Sequence, residues 1–144
     1  MLIGEYAHTL DDKKRLQLPS KFRKELGRGV IITRGLDKCL FMFSADAWKK
    51  IVEKMNTLSL GAHDTRGFNR FMLAGATEAD IDSNGRILIP EYLKDFAGLK
   101  NKVVIAGVSD RAEIWEQKRW EAYTERIEAE SDAMADKLGQ IGII

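Results

Sequence analysis

Short apolar runs separated by turn residues dominate the hydropathy pattern. Leu16-Gln17-Leu18 alternates and Ile87-Leu88-Ile89 is continuously apolar, and both patterns suit strands. Asn84-Gly85, just ahead of the second run, signals a tight turn because both residues tolerate positive φ. Pro19 and Pro90 end these runs; proline cannot donate to a ladder but fits the first turn of a helix. Phe22 and Leu26, and likewise Tyr92 and Phe96, lie four apart and predict the inner faces of two short helices, with Gly27 and Gly98 as candidate C-caps. Val30-Ile31-Ile32 and Val103-Val104-Ile105 predict strands. Beyond turns at Asp37-Lys38 and Asp110-Arg111, Leu40 to Phe43 and Glu113 to Trp115 predict two more.

Longer helices follow. Trp48, Ile51, Val52, Met55 and Leu58 recur at helical spacing, and a further helix is expected with Asp64 as N-cap and Phe68, Phe71 and Met72 on one side. Trp120, Tyr123, Ile127, Met134 and Leu138 run along an acidic helix, a stripe that reads as core or subunit contact. The apolar tail Ile141, Ile143 and Ile144 is either disordered or docked on a neighbour.

The pattern occurs twice. Pro19 and Pro90 are the only prolines and stand 71 positions apart. Leu10-Asp11-Asp12-Lys13-Lys14-Arg15-Leu16-Gln17-Leu18-Pro19 matches Ile81-Asp82-Ser83-Asn84-Gly85-Arg86-Ile87-Leu88-Ile89-Pro90, with Asp, Arg and Pro identical and Leu exchanged for Ile at three places. The chain therefore reads as two tandem units, 1–75 and 76–144, each β–turn–β–short α–β–turn–β–helix. Units this small bury little surface alone, so the two are expected to form one compact body.

Composition adds limits. The formal net charge is +1, from 23 Lys+Arg and 22 Asp+Glu, which excludes a uniformly basic nucleic-acid coat. The charge is unevenly placed: residues 1–75 carry 14 basic and 8 acidic side chains, residues 76–144 carry 9 and 14. The excess gathers at Lys13, Lys14, Arg15, Lys21, Arg23, Lys24 and Arg28 against Glu25 alone, as a localised polyanion site would require; a solvated charged surface is the plainer alternative. One cysteine, Cys39, excludes an internal disulfide, and it reads as a half-buried residue that Lys38 would activate if exposed. No signal peptide or membrane span is expected, and a cytoplasmic location is the default.

Chemistry for catalysis is thin. His8 and His63 are the only histidines, and no metal-spaced cluster, phosphate loop, dinucleotide fingerprint or nucleophile elbow occurs. No enzyme, cofactor or small-molecule ligand is expected. No aromatic strand pattern of RNA-stacking modules is evident either. The repeated Asp-x-x-x-Arg is the strongest functional signal. Asp11 and Asp82 at the turn starts accept backbone N–H bonds or anchor the arginine, and Arg15 and Arg86 then project from a fixed frame suited to guanine or phosphate. Lys13 and Lys14 add phosphate attraction. The competing view is that each Asp–Arg pair merely ties its own hairpin.

On these two motifs, the opening Met-Leu-Ile-Gly-Glu-Tyr and the Asp64-Thr65-Arg66 to Arg70-Phe71 block, nearly the whole chain resembles the MraZ family of bacterial transcription regulators. Through that family it resembles the AbrB/MazE-type swapped-hairpin DNA-binding domains. The resemblance implies a mixed α+β, mainly β fold: a pseudo-dimeric swapped-hairpin β-barrel with flanking helices. It implies a ring-shaped homo-oligomer, cytoplasmic and nucleoid-associated, that binds double-stranded DNA at short G-rich direct repeats before division and cell-wall genes. Carried over by position, Lys13, Lys14, Arg15, Asn84 and Arg86 are the DNA-binding candidates, and Asp11 and Asp82 position the loops. One departure stands out: Lys14 occupies the place of Gly85. If that place requires positive φ, Lys14 is strained by about 1 kcal/mol, which leaves open whether the two loops share one geometry. Because Arg15 lies among lysines and Arg86 near Asp80 and Asp82, the first motif is expected to dominate affinity. The alternative function is a non-enzymatic adaptor acting through the acidic C-terminal helix.

Overall fold

A computed structural model describes residues 1–143. Each expected strand forms. In chain order the elements are β1 (Leu2–Thr9), β2 (Arg15–Gln17), α1 (Ser20–Leu26), β3 (Gly29–Arg34), β4 (Leu40–Phe43), α2 (Ala45–Asn56), α3 (His63–Asn69), β5 (Thr77–Asp80), β6 (Arg86–Leu88), α4 (Glu91–Ala97), β7 (Lys102–Ser109), β8 (Ala112–Glu116) and α5 (Gln117–Gln140).

The halves exchange strands. Six strands form an antiparallel sheet in the order β1-β7-β8-β4-β3-β5, and β2 pairs with β6 in a separate two-stranded ribbon. Thus β1 pairs with β7 of the second half while β5 pairs reciprocally with β3 of the first. The remaining cross-half pairs, β2 with β6 and β4 with β8, lie on a pseudo-twofold axis. In the ribbon the corresponding residues Leu16 and Ile87 face each other. In the sheet Phe41 faces Glu113, each three positions before the N-cap of its helix, Ser44 or Glu116. Off the axis, Leu10 N–H donates to Asn101 O at 2.8 Å and Ile81 N–H to Arg28 O at 2.9 Å. The fold is mixed α+β and mainly β. The strand order among the described residues does not close into a barrel: β1 and β5 are edges, and the ribbon packs over the sheet instead.

Strand alternation sends side chains to two cores. Leu40 and Met42 of β4 join Leu16, Leu18, Ile87 and Ile89 of the ribbon region between sheet and ribbon. Phe41 and Phe43 point the other way, to Met55, Met72 and Trp115 under the long helices. Pro19 and Pro90 stand at the N-caps, one place earlier than the first turn, where their carbonyls accept from Phe22 N–H at 2.9 Å and Leu93 N–H at 3.1 Å. Gly27 and Gly98 cap the C-termini at φ 78° and 60°.

Several local expectations need correction. In α4 the buried face is Leu93 and Ala97, the counterparts of Phe22 and Leu26 under the 71-residue offset. Tyr92 is instead largely exposed and donates its hydroxyl to Gly75 O at 2.8 Å, and Phe96 packs edge-on against Phe71. Asp64 is not a cap: α3 begins at His63 with Ala62 at the N-cap, so Asp64 lies in the first turn, where its charge still favours the helix dipole. A π-helical turn, Arg70–Ala74, follows α3. Cys39 is fully buried, and burial pushes its thiol well above the usual range, so Lys38 does not activate it. Ile141 and Ile143 are exposed, and Ile144 lies outside the described residues. No helix among the described residues is long and apolar enough to cross a membrane.

Candidate nucleic-acid interface

The two Asp-x-x-x-Arg loops have one construction. Asp11 Oδ1 accepts the backbone N–H groups of Lys13 and Arg15, both at 2.9 Å, and its Oδ2 accepts Arg15 Nε at 2.8 Å. Asp82 Oδ1 accepts from Asn84 and Arg86, again at 2.9 Å, and its Oδ2 takes Arg86 Nε at 3.0 Å. Lys14 N–H donates to Asp11 O and Gly85 N–H to Asp82 O, each at 2.9 Å. Each loop is also held by the other half: Ile89 N–H donates to Lys14 O at 2.8 Å and Leu18 N–H to Gly85 O at 3.0 Å.

The fourth position of the motif is left-handed in both loops, at φ 61° for Lys14 and 77° for Gly85. The question left by the sequence is answered: one geometry serves both, and Lys14 carries the strain. Its ammonium forms an ion pair with Glu91 of α4 rather than standing free at the loop tip. Gly85 has a second reason to lack a side chain, because the Arg23 guanidinium lies where a Cβ would stand.

The carboxylates are set by their donors. The Arg15 backbone N–H foremost, together with the Arg15 side chain and the Lys13 N–H, outweighs the opposing desolvation and holds the Asp11 carboxyl below its ordinary range. Asp82 is lowered the same way, by the Arg86 N–H foremost. Both are therefore ionised at neutral pH and able to clamp their arginines. Binding through Nε leaves the two Nη groups pointing away from the clamp, the pair that bidentate recognition uses. The pair ties its own hairpin, as one of the two sequence-based views expects, and the same bond holds the guanidinium in a fixed place. The Arg15 and Arg86 side chains remain 34% and 26% exposed.

The ribbon brings the arginines together. Arg15 is opposite Leu88 and Gln17 opposite Arg86. With Leu16 and Ile87 buried, these four residues share the outward face. Arg15 and Arg86 are diagonal neighbours, a relation that puts Cβ atoms roughly 7–8 Å apart. Gln17 donates Nε2–H to Asn84 O at 2.8 Å. Gln17 and Leu88 were not candidates on sequence: the two-residue strand period puts each on the same face as its own strand's arginine, but only the β2–β6 pairing brings the four together. Lys13 is exposed at one loop tip, and its counterpart Asn84 is exposed at the other. Lys94 and Lys100 line a cleft beside the first loop with Asp11, Asp12 and Lys14. No cluster able to hold a metal ion occurs among the described residues.

Comparison with known proteins agrees with this duplicated architecture. The family profile described as "MraZ protein, putative antitoxin-like" matches twice, over residues 1–71 and 72–140. A protein of Caldanaerobacter subterraneus named transcriptional regulator MraZ is 46% identical over 143 residues, covering 99% of this chain and 100% of that one. One of the same name from Oenococcus oeni is 49% identical over 138 residues, covering 96% of each. With two profile matches spanning nearly its whole length and near-full-length relatives of this identity, the chain belongs to the MraZ family.

Proposed function

We propose that this protein is a sequence-specific DNA-binding transcription regulator, and that the outward face of the β2–β6 ribbon with its two loops is the reading head. The observation that supports this most directly is the matched pair of Asp–Arg clamps side by side on one exposed face. A two-stranded ribbon fits the major groove, which is about 12 Å wide. Arginine held by Nε presents its terminal nitrogens to guanine O6 and N7, the commonest specific contact and the one that favours G-rich sites. A diagonal separation of roughly 7–8 Å is about two base-pair steps, so each head reads a short site.

In this reading Arg15 and Arg86 contact bases, Lys13 and Asn84 contact backbone or base edges at the loop tips, and Asp11 and Asp82 aim the arginines. Lys14 reaches a phosphate only by leaving Glu91, and exposed ion pairs are weak. Residues 1–75 and 76–144 act as two halves of one head. Affinity from one head is modest, and several heads in a ring gain by effective concentration on direct repeats, as regulation of a division and cell-wall promoter would need. A ring needs a head-to-tail contact. The acidic second half and the basic first half provide opposite charges for it, and Ile127, Met134 and Leu138 of α5 provide apolar surface that no residue of the same chain fully covers.

The test is fluorescence anisotropy with a labelled duplex from the promoter upstream of this protein's gene, against a shuffled duplex, at low and physiological salt. Expected are preference for the native duplex and a log–log salt slope of roughly −0.9 per phosphate contacted. Arg15→Ala should weaken binding about tenfold or more, and Arg86→Ala less, because Lys13 stands beside Arg15 where Asn84 stands beside Arg86. Equal binding to both duplexes would refute sequence reading. A greater loss from Arg86→Ala at equal stability would reverse the ranking.

A further inference from the structure

Leu88 is a large apolar side chain, 57% exposed, on a face whose other members are Arg15, Gln17 and Arg86. An exposed leucine on an ordinary surface calls for no explanation. This one lies directly opposite Arg15, so both side chains leave the ribbon on the same side. The pseudo-twofold that exchanges Arg15 with Arg86 exchanges Gln17 with Leu88. Gln17 is polar and its amide is committed to the opposite loop at Asn84 O. The face is therefore symmetric in its arginines and asymmetric in the two residues between them.

The geometry points to Leu88 as a specificity-determining residue that packs on the C5 methyl of a thymine beside the guanine held by Arg15. This rests on the proposed DNA reading. Three observations select a thymine as the occupant. The surrounding side chains are cationic or polar, which suits an anionic groove and not an apolar protein patch. The thymine methyl is the apolar group that base pairs display in the major groove. The register sets Leu88 directly across from Arg15 on the same face of the ribbon. A consequence is polarity. With leucine on one side of the axis and glutamine on the other, the two orientations of the head on a duplex are unequal, so every head on tandem sites faces one way.

The test measures anisotropy for wild type, Leu88→Ala and Leu88→Gln on the native promoter duplex and on duplexes in which each thymine is singly replaced by deoxyuridine, removing only the methyl. The expected result is a thymine adjacent to a guanine whose replacement weakens wild type roughly fourfold, the worth of one buried methyl, and leaves both variants unchanged. Equal melting temperatures establish that the variants fold. The proposal is overturned if every uracil duplex binds wild type as tightly as the native one, or if the sensitive position remains sensitive in Leu88→Ala. It is also overturned if Leu88→Ala changes the oligomer mass in light scattering, which would assign Leu88 to a contact between copies. If wild type does not distinguish native from shuffled duplex, the DNA reading fails first and this proposal falls with it.

Discussion

Two residues at corresponding places show how local conformation and tertiary contact divide the control of a loop. Lys14 and Gly85 both sit left-handed, yet only glycine does so without cost. Lys14→Gly should therefore be neutral or stabilising by up to about 1 kcal/mol, since relief of strain is partly offset by the greater freedom of the unfolded chain and the loss of the Glu91 pair. Gly85→Ala should cost about 1–3 kcal/mol, because the backbone is strained and Arg23 must move. Thermal melts of the two variants check both. Acid sensitivity belongs to the same scale. Asp11 and Asp82 have folded pKa values below their unfolded ones, so they contribute stability at neutral pH and lose it as pH falls through the folded values. Urea midpoints should drop below about pH 4, and drop less in an Asp11→Asn, Asp82→Asn double variant, which has no carboxylate there to protonate.

Among the elements, the ribbon and the π-helical turn behave differently. The ribbon was legible in part: the runs Leu16–Leu18 and Ile87–Ile89 announced strands. That those strands pair with each other is a long-range fact, set by burial of Leu16, Leu18, Ile87 and Ile89 in one shared core. The turn Arg70–Ala74 left no sequence signal. A contact from another element accompanies it: the buried Thr33 hydroxyl on β3 donates to Met72 O at 2.6 Å. Thr33→Val should cost about 1–3 kcal/mol by leaving Met72 O without a partner, readable as a lower urea midpoint at unchanged slope. The inner face of α4 was misassigned for a related reason. Tyr92 and Phe96 have the right spacing, but so do Leu93 and Ala97, which are fully buried in the shared core, whereas Phe96 packs against it only in part and Tyr92 stays exposed.

For the whole molecule, strand exchange makes folding a joint property of the halves. In isolation, residues 1–75 would lose β7 as the partner of β1, β6 as the partner of β2, and one neighbour each of β3 and β4. Neither 1–75 nor 76–144 should fold alone, and mixing them should restore β-sheet circular dichroism and a cooperative melt. Independent folding of either half would mean that the exchanged pairing is dispensable.

Duplication, turns, the glycine C-caps and the Asp–Arg spacing were readable along the chain, because each depends on residues within a few positions of one another. The aiming of Arg15 and Arg86 followed too, since every bond that Asp11 and Asp82 make stays within four residues. Placement of the two arginines on one face, beside Gln17 and Leu88, required pairing between residues about 70 apart, and so did the capture of Lys14 by Glu91. Those contacts arise because neither half can bury its apolar strands alone, and the shared core that solves this problem also sets the geometry of the ribbon's outward face.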